Sequence, residues 1–119
     1  MEKSKMDNFK SFSENESNAN NFQKANRLEL IKLFKDFKVS DEELMSQFGL
    51  FMRSSYLVKF LVLNNLYERI INVPGKIIEF GTRFGHNLVV FENLRAIYEP
   101  FNKTREIVGF DTFEGYKNF

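Results

Sequence analysis

Residues 77–87 read IIEFGTRFGHN. An apolar pair, Ile77 and Ile78, leads to an acid at Glu79. Two glycines follow, Gly81 and Gly85, and a helical period begins at His86. An apolar run that passes through glycines into helical spacing predicts a strand entering a helix by a tight turn. Glycine lets the backbone take positive φ there and approach a ligand closely. The amides from Gly85 to Asn87, at the helix start, offer N–H groups and a partial positive charge to an anion. The Glu79 carboxylate instead suits a cation or a donor. A ligand with an ammonium and a carboxylate on one carbon matches both demands. An ordinary strand–helix turn with no ligand is the plainer reading of the same residues.

Outward from this turn, Lys76 to Phe80 is predicted as a strand, with Val73-Pro74-Gly75 separating it from what precedes. His86 to Tyr98 is predicted as a helix with Leu88, Phe91, Leu94 (or the stem of Arg95) and Ile97 facing inward, ended by Pro100. Glu106 to Asp111, EIVGFD, is predicted as a second strand that again ends in an acid. Strand, glycine turn, helix and strand make one βαβ unit with parallel strands. Asp111 then stands at the C-terminal edge of the sheet, where a carboxylate accepts from both hydroxyls of a ribose. A dinucleotide fingerprint of the G-x-G-x-x-G type needs a middle glycine where this chain has Arg83, which disfavours a nucleotide-dependent oxidoreductase.

Toward the N-terminus three helices are predicted. Leu28, Ile31, Phe34 and Phe37 recur at near-helical spacing between Arg27 and Lys38. Ser40-Asp41-Glu42-Glu43 forms a capping box opening a helix through about Met52. Ser54 or Ser55 caps a third helix to about Ile71, apolar over most of its circumference and therefore expected to be nearly buried. Residues 1–26, rich in Asn, Ser, Lys and Glu, read as a polar disordered leader. The expected organisation is thus a leader over 1–26, a helical region over 27–72, and the start of a cofactor-binding domain over 73–119.

Composition narrows the function classes. The 119 residues carry a formal net charge of +1, so there is no electrostatic footprint for nucleic acid or an anionic membrane. With no cysteine and His86 the single histidine, thiolate and multi-histidine metal sites are excluded within one chain. No apolar run approaches the roughly 20 residues of a membrane span, and no signal-peptide core opens the chain. The expectation is a cytoplasmic protein with a small-molecule partner, no nucleic acid and no membrane.

Val73 to Tyr116, with VPGKIIEFGTRFGHN followed by REIVGFDTFEGY, resembles the macrocin-type O-methyltransferases, a class I S-adenosylmethionine-dependent family acting mainly on sugars. The segment RSSYLVKFLVLNNLYERI is more loosely similar to that family's N-terminal helices. The resemblance implies an α/β fold: N-terminal helices, then the first βαβ of a Rossmann-like sheet, truncated. It implies S-adenosylmethionine as cofactor, with Glu79, Gly81 and Gly85 forming the methionine-end pocket beside Thr82, His86 and Asn87. Asp111 falls at the ribose, Thr112 and Phe113 beside the adenosine, and Arg53 within reach of the cofactor's carboxylate. The blander roles are a solvated helix-start arginine for Arg53, amide capping for His86, and packing for Tyr98 and Tyr116.

The family's divalent-metal carboxylates and catalytic base lie beyond the equivalent of Phe119. The resemblance therefore implies an N-terminal fragment with a cofactor half-site, no catalytic residue of its own, and magnesium only in a longer protein. A sugar or glycan precursor is the implied substrate. The alternative is a non-catalytic module that binds a small ligand or dimerises. A two-stranded parallel sheet has open edges, so the chain is expected to be marginally stable or to form homo-oligomers.

Overall fold

The turn-and-strand pattern around Gly81 is built as predicted in the computed structural model, which describes residues 19–114. Two compact units divide the chain between Phe51 and Met52. The expected boundary lay at 72/73. Instead the helix over Ser54–Ile70 belongs with the strands, because it packs on the helix that joins them.

In the first unit, α1 spans Asn21–Asp36. It starts inside the expected leader, because Asn20 and Gln23 form a reciprocal capping box. Asn20 Oδ1 accepts from the Gln23 amide at 2.8 Å, and Gln23 Oε1 accepts from the Asn20 amide at 3.1 Å. The rest of the expected leader, residues 1–18, lies outside the described residues. The apolar stripe of α1 is largely open, with Leu28, Ile31 and Phe34 all exposed. Its C-terminal end meets Phe51, whose ring is edge-on to Phe34 at 5.1 Å and to Phe37 at 5.5 Å.

α2 covers only Asp41–Ser46, and a 3-10 turn over Phe48–Phe51 replaces the longer helix expected through Met52. Ser40 does cap it, accepting from the Glu43 amide. The reciprocal half of the box is missing, since the Glu43 carboxylate takes Gln47 Nε2 instead. Gly49, a weak helix former, sits in the segment that tightens.

In the second unit, α3 spans Ser54–Ile70 and is preceded by Arg53 in an extended conformation, with no side-chain cap. Ser54 is therefore the first helical residue rather than the cap. β1 (Ile77–Phe80), α4 (His86–Tyr98) and β2 (Ile107–Phe110) follow as one βαβ unit. The strands are parallel, with Ile77 opposite Ile107, Glu79 opposite Gly109 and Phe80 opposite Phe110. The α/β reading is borne out.

Alternation along the strands puts Ile77, Glu79 and Gly109 on the face that carries α4, and Ile78 and Phe80 on the other. On that second face Phe80 and Phe110 stack with ring centroids 5.4 Å apart, both exposed.

The core lies between α3 and α4. Tyr67 is fully buried and Leu63 nearly so. Tyr67 stacks on Tyr98 at 5.8 Å, with Phe91 on its other flank at 6.4 Å. Near-complete burial of α3 is not observed. Leu57, Leu61 and Leu66 are about half exposed, because one neighbouring helix covers only one stripe of a cylinder. On α4 the inward stripe is Leu88, Phe91, Leu94 and Tyr98. Ile97 points outward, since Tyr98 one residue on takes its place. The Tyr98 hydroxyl lies 2.9 Å from Asn64 Oδ1 and 3.0 Å from Glu68 Oε1, and the Glu68 carboxylate raises its pKa.

Beneath the sheet, at the N-terminal ends of the strands, a polar knot closes the unit. Arg105, 5 % exposed, donates through Nε to Glu99 Oε2 at 3.0 Å, through Nη1 to the Gly75 carbonyl and through Nη2 to the Ile70 carbonyl. Tyr67 donates to Glu99 Oε2 at 2.5 Å, and Asn102 Nδ2 donates to Glu99 Oε1 at 2.9 Å. One guanidinium thus fastens the end of α3, the turn before β1 and the end of α4. Buried charges are tolerated when they are paired and bonded in this way.

Candidate functional site

The C-terminal edge of the two strands carries the predicted constellation. Gly81, Arg83 and Gly85 all adopt left-handed φ, at 77°, 52° and 83°. That compresses the path from β1 into α4 so that the Gly85 amide bonds back to the Thr82 carbonyl at 2.9 Å. Glycine removes the strain at two of these positions, and Arg83 bears it. The ladder runs one step beyond the strands, with the Gly81 amide donating to the Phe110 carbonyl at 2.7 Å. Thr82 is buried, with its methyl group over the bare backbone of Gly109 beside Leu88. A Cβ at Gly109 would collide with both side chains.

Glu79 points from β1 toward the first turn of α4. Its Oε1 accepts a hydrogen bond from Asn87 Nδ2. Its Oε2 and the Asn87 Oδ1 are both shielded from water and have no hydrogen-bond partner. An unpaired buried acceptor is costly, and a charged one more so, so this corner is suited to a cationic donor. That is the environment an ammonium requires.

Asp111, just past β2, accepts from the Arg83 amide through Oδ2 at 2.7 Å and from the Phe113 amide through Oδ1 at 2.9 Å. These amides, Phe113's first and Arg83's next, hold its carboxyl below the usual carboxylate range. Each oxygen keeps a second lone pair for another donor. Phe113 also has left-handed φ, at 56°, and its ring is exposed. Thr112 Oγ1 accepts from the Glu114 amide at 3.4 Å.

The other two predicted site residues are engaged elsewhere. The His86 ring packs edge-on to Phe60 of α3 at 5.2 Å. The Arg53 guanidinium lies 4.5 Å from the centroid of the Tyr56 ring. Tyr116 lies outside the described residues. Glu79, Gly81, Thr82, Gly85, Asn87, Asp111, Thr112 and Phe113 are therefore brought to one sheet edge, while Arg53 and His86 contact α3 residues. Two features escaped the sequence reading: the Asn87 side chain as a partner of Glu79, and Gly109 as the space for Thr82.

No family model matches the chain, and no relative is found among the curated proteins. Solved structures do match. The calicheamicin methyltransferase CalS11 shares 39% identity over 85% of this chain, with a TM-score of 0.77. Apo CalS11, described as a TDP-rhamnose 3'-O-methyltransferase of calicheamicin biosynthesis, shares 38% identity over 84%, with a TM-score of 0.76. The chain spans 39% and 44% of the length of those two chains. In sequence and in fold alike, over the part they share, this chain is related to the class I S-adenosylmethionine-dependent methyltransferases.

Proposed function

We propose that this chain carries the cofactor side of an S-adenosylmethionine-dependent O-methyltransferase acting on a sugar hydroxyl. The observation that carries the reading is the Glu79 carboxylate, half-satisfied by Asn87 and with one buried oxygen unpaired, beside the left-handed turn at the strand end. The sugar is suggested by CalS11, whose substrate is a TDP-rhamnose.

On this reading Glu79 takes the ammonium of the cofactor's amino-acid end, and the amides from Gly85 to Asn87 face its carboxylate. Asp111 keeps lone pairs for the ribose hydroxyls while its other contacts fix the loop, and Thr112 and Phe113 flank the adenosine. The cofactor, when bound, supplies a methyl group on a sulfonium for transfer to an oxygen nucleophile. What the chain's own residues contribute is position: they hold the ligand's two ends across the edge of the sheet, which is where much of a group-transfer rate originates.

Titration of the 119-residue chain with S-adenosylhomocysteine, followed by calorimetry, tests this. Binding that Glu79→Ala weakens by roughly tenfold or more, with the far-UV spectrum unchanged, is the expected result. Unaltered binding in the variant, or none in the wild type, would sink the reading.

A further inference from the structure

The first unit leaves its apolar side chains open to water. No residue from 19 to 51 is buried, and Phe22, Leu28, Ile31, Leu33 and Met45 are at least half exposed. At about 100° per residue, Lys24, Leu28, Ile31, Lys32 and Lys35 share one face of α1. Phe34 and Phe37, whose rings meet Phe51, lie round the helix from Leu28. An exposed apolar strip rimmed by charge marks an interaction surface.

The charges around that face identify what covers it. Residues 19–51 hold five basic and five acidic side chains, so the unit as a whole is neutral. The two signs are segregated. All five bases lie between Lys24 and Lys38, with only Glu29 and Asp36 among them, and the other three acids are consecutive at Asp41, Glu42 and Glu43. Lys24, Lys32, Lys35, Asp41 and Glu42 are exposed and make no ion pair among the described residues.

We propose that this face of α1 is the interface of a two-fold dimer of this chain. Leu28 and Ile31 form its centre, and the lysines of each copy are set against the Asp41-Glu42 turn of the other. A two-fold axis makes every contact twice, so a unit with one positive and one negative patch is complementary to a copy of itself. An anionic membrane or a nucleic acid would meet the acid run as well as the lysines, and a neutral unit offers it no net attraction. The apolar centre supplies the area removed from water, while the charges fix the orientation and reject misaligned pairings. None of the residues at the strand ends takes part, so the inference stands independently of the cofactor reading.

Sedimentation equilibrium of the 119-residue chain over a concentration series tests this. The wild type is expected to sediment as a dimer, and Leu28→Asp combined with Ile31→Asp as a monomer. Lys24→Glu with Lys32→Glu should weaken the dimer roughly tenfold or more, and Asp41→Lys with Glu42→Lys should do the same. An equimolar mixture of these two charge-reversed chains should dimerise again, because each patch then faces its opposite in the other chain. A monomeric wild type overturns the proposal. So does a dimer that survives the substitutions at Leu28 and Ile31, which would place the contact on another surface. A mixture that stays monomeric while both chains keep the wild-type far-UV spectrum also overturns it. Should the Asp41 and Glu42 variant lose helix, the α1 variants still decide.

Discussion

Asp111 accepts the backbone amide of Arg83 at 2.7 Å, and the two residues stand on different strand-end loops. The same carboxylate also holds the Phe113 amide, so one side chain fixes both non-glycine residues that have left-handed φ among those described. The loop after β2 and the turn after β1 are thereby a single piece. A ligand spanning them would meet a preorganised edge.

Asp111→Asn tests that relationship. An asparagine keeps one acceptor oxygen and sets an NH2 group against the other amide, so one of the two bonds is lost. The expected result is faster hydrogen exchange at the amides of Arg83 or Phe113 and a lower melting temperature, with exchange within α3 unchanged. The pH dependence has a defined sign. The folded carboxyl is depressed, so its contribution is present above the ordinary carboxylate range and fades as pH falls below it. Equal exchange at both amides in the variant and the wild type would show that the loops hold their shape without Asp111.

Gly109→Ala probes the other side of the turn. The added methyl would stand 2.5 Å from Leu88 Cδ1 and closer still to the Thr82 methyl. Overpacking of this kind costs typically about 1–3 kcal/mol, read as a shift in the urea midpoint. Combining it with Leu88→Ala should recover part of the loss relative to the sum of the single variants, because the smaller side chain vacates the space. Strict additivity would mean that Thr82 alone sets the limit.

Much of this architecture was legible locally. The limits of α4 and the positions of β1 and β2 follow from glycine, proline and apolar spacing, each confined to a dozen residues. The gathering of the candidate residues at the strand ends was legible for the same reason: glycines and acids punctuate those ends. What could not be read depends on distant partners. Arg105 joins Gly75 and Ile70, far behind it in sequence, and nothing in its neighbours marks it as buried. Gly109 looks like any strand glycine until Thr82 and Leu88 are seen above it. The start of α1 was missed for a different cause: Asn20 lies in a polar, asparagine-rich stretch whose composition hides a capping box.

That box yields a third test. Removing an Asn cap by Asn20→Ala costs roughly 1 kcal/mol of helix stability. The loss should appear as faster amide exchange over the first turn, with the Gln23 amide affected most, since its acceptor is the Asn20 side chain. Asn20→Ser, which keeps an acceptor at the cap, should restore protection. If alanine and serine behave alike, the helix start is fixed by something other than the box.

The Tyr67–Glu99–Arg105 knot governs the acid limit of the second unit. Glu99 has a side chain only 8% exposed, and its pKa is lowered from 4.5 to about 2, by the Arg105 guanidinium first and the Tyr67 hydroxyl next. A carboxyl depressed on folding stabilises the native state above its unfolded pKa and loses that contribution as pH falls through the folded one. The window therefore runs from about 4.5 down to about 2, and the full contribution is on the order of 3 kcal/mol. At the other extreme, burial first and Glu99 second push the Tyr67 hydroxyl up to about 12 from 10.0. Its contribution is complete below pH 10 and is lost as pH rises through about 12. Urea unfolding across the acid range should show stability falling steeply below pH 4.5. Glu99→Gln should be less stable at neutral pH, because Arg105 then keeps its buried charge without a counterion, and its stability should vary much less between pH 5 and 3. A variant whose acid profile parallels the wild type would assign the acid loss to other carboxylates and remove Glu99 from that role.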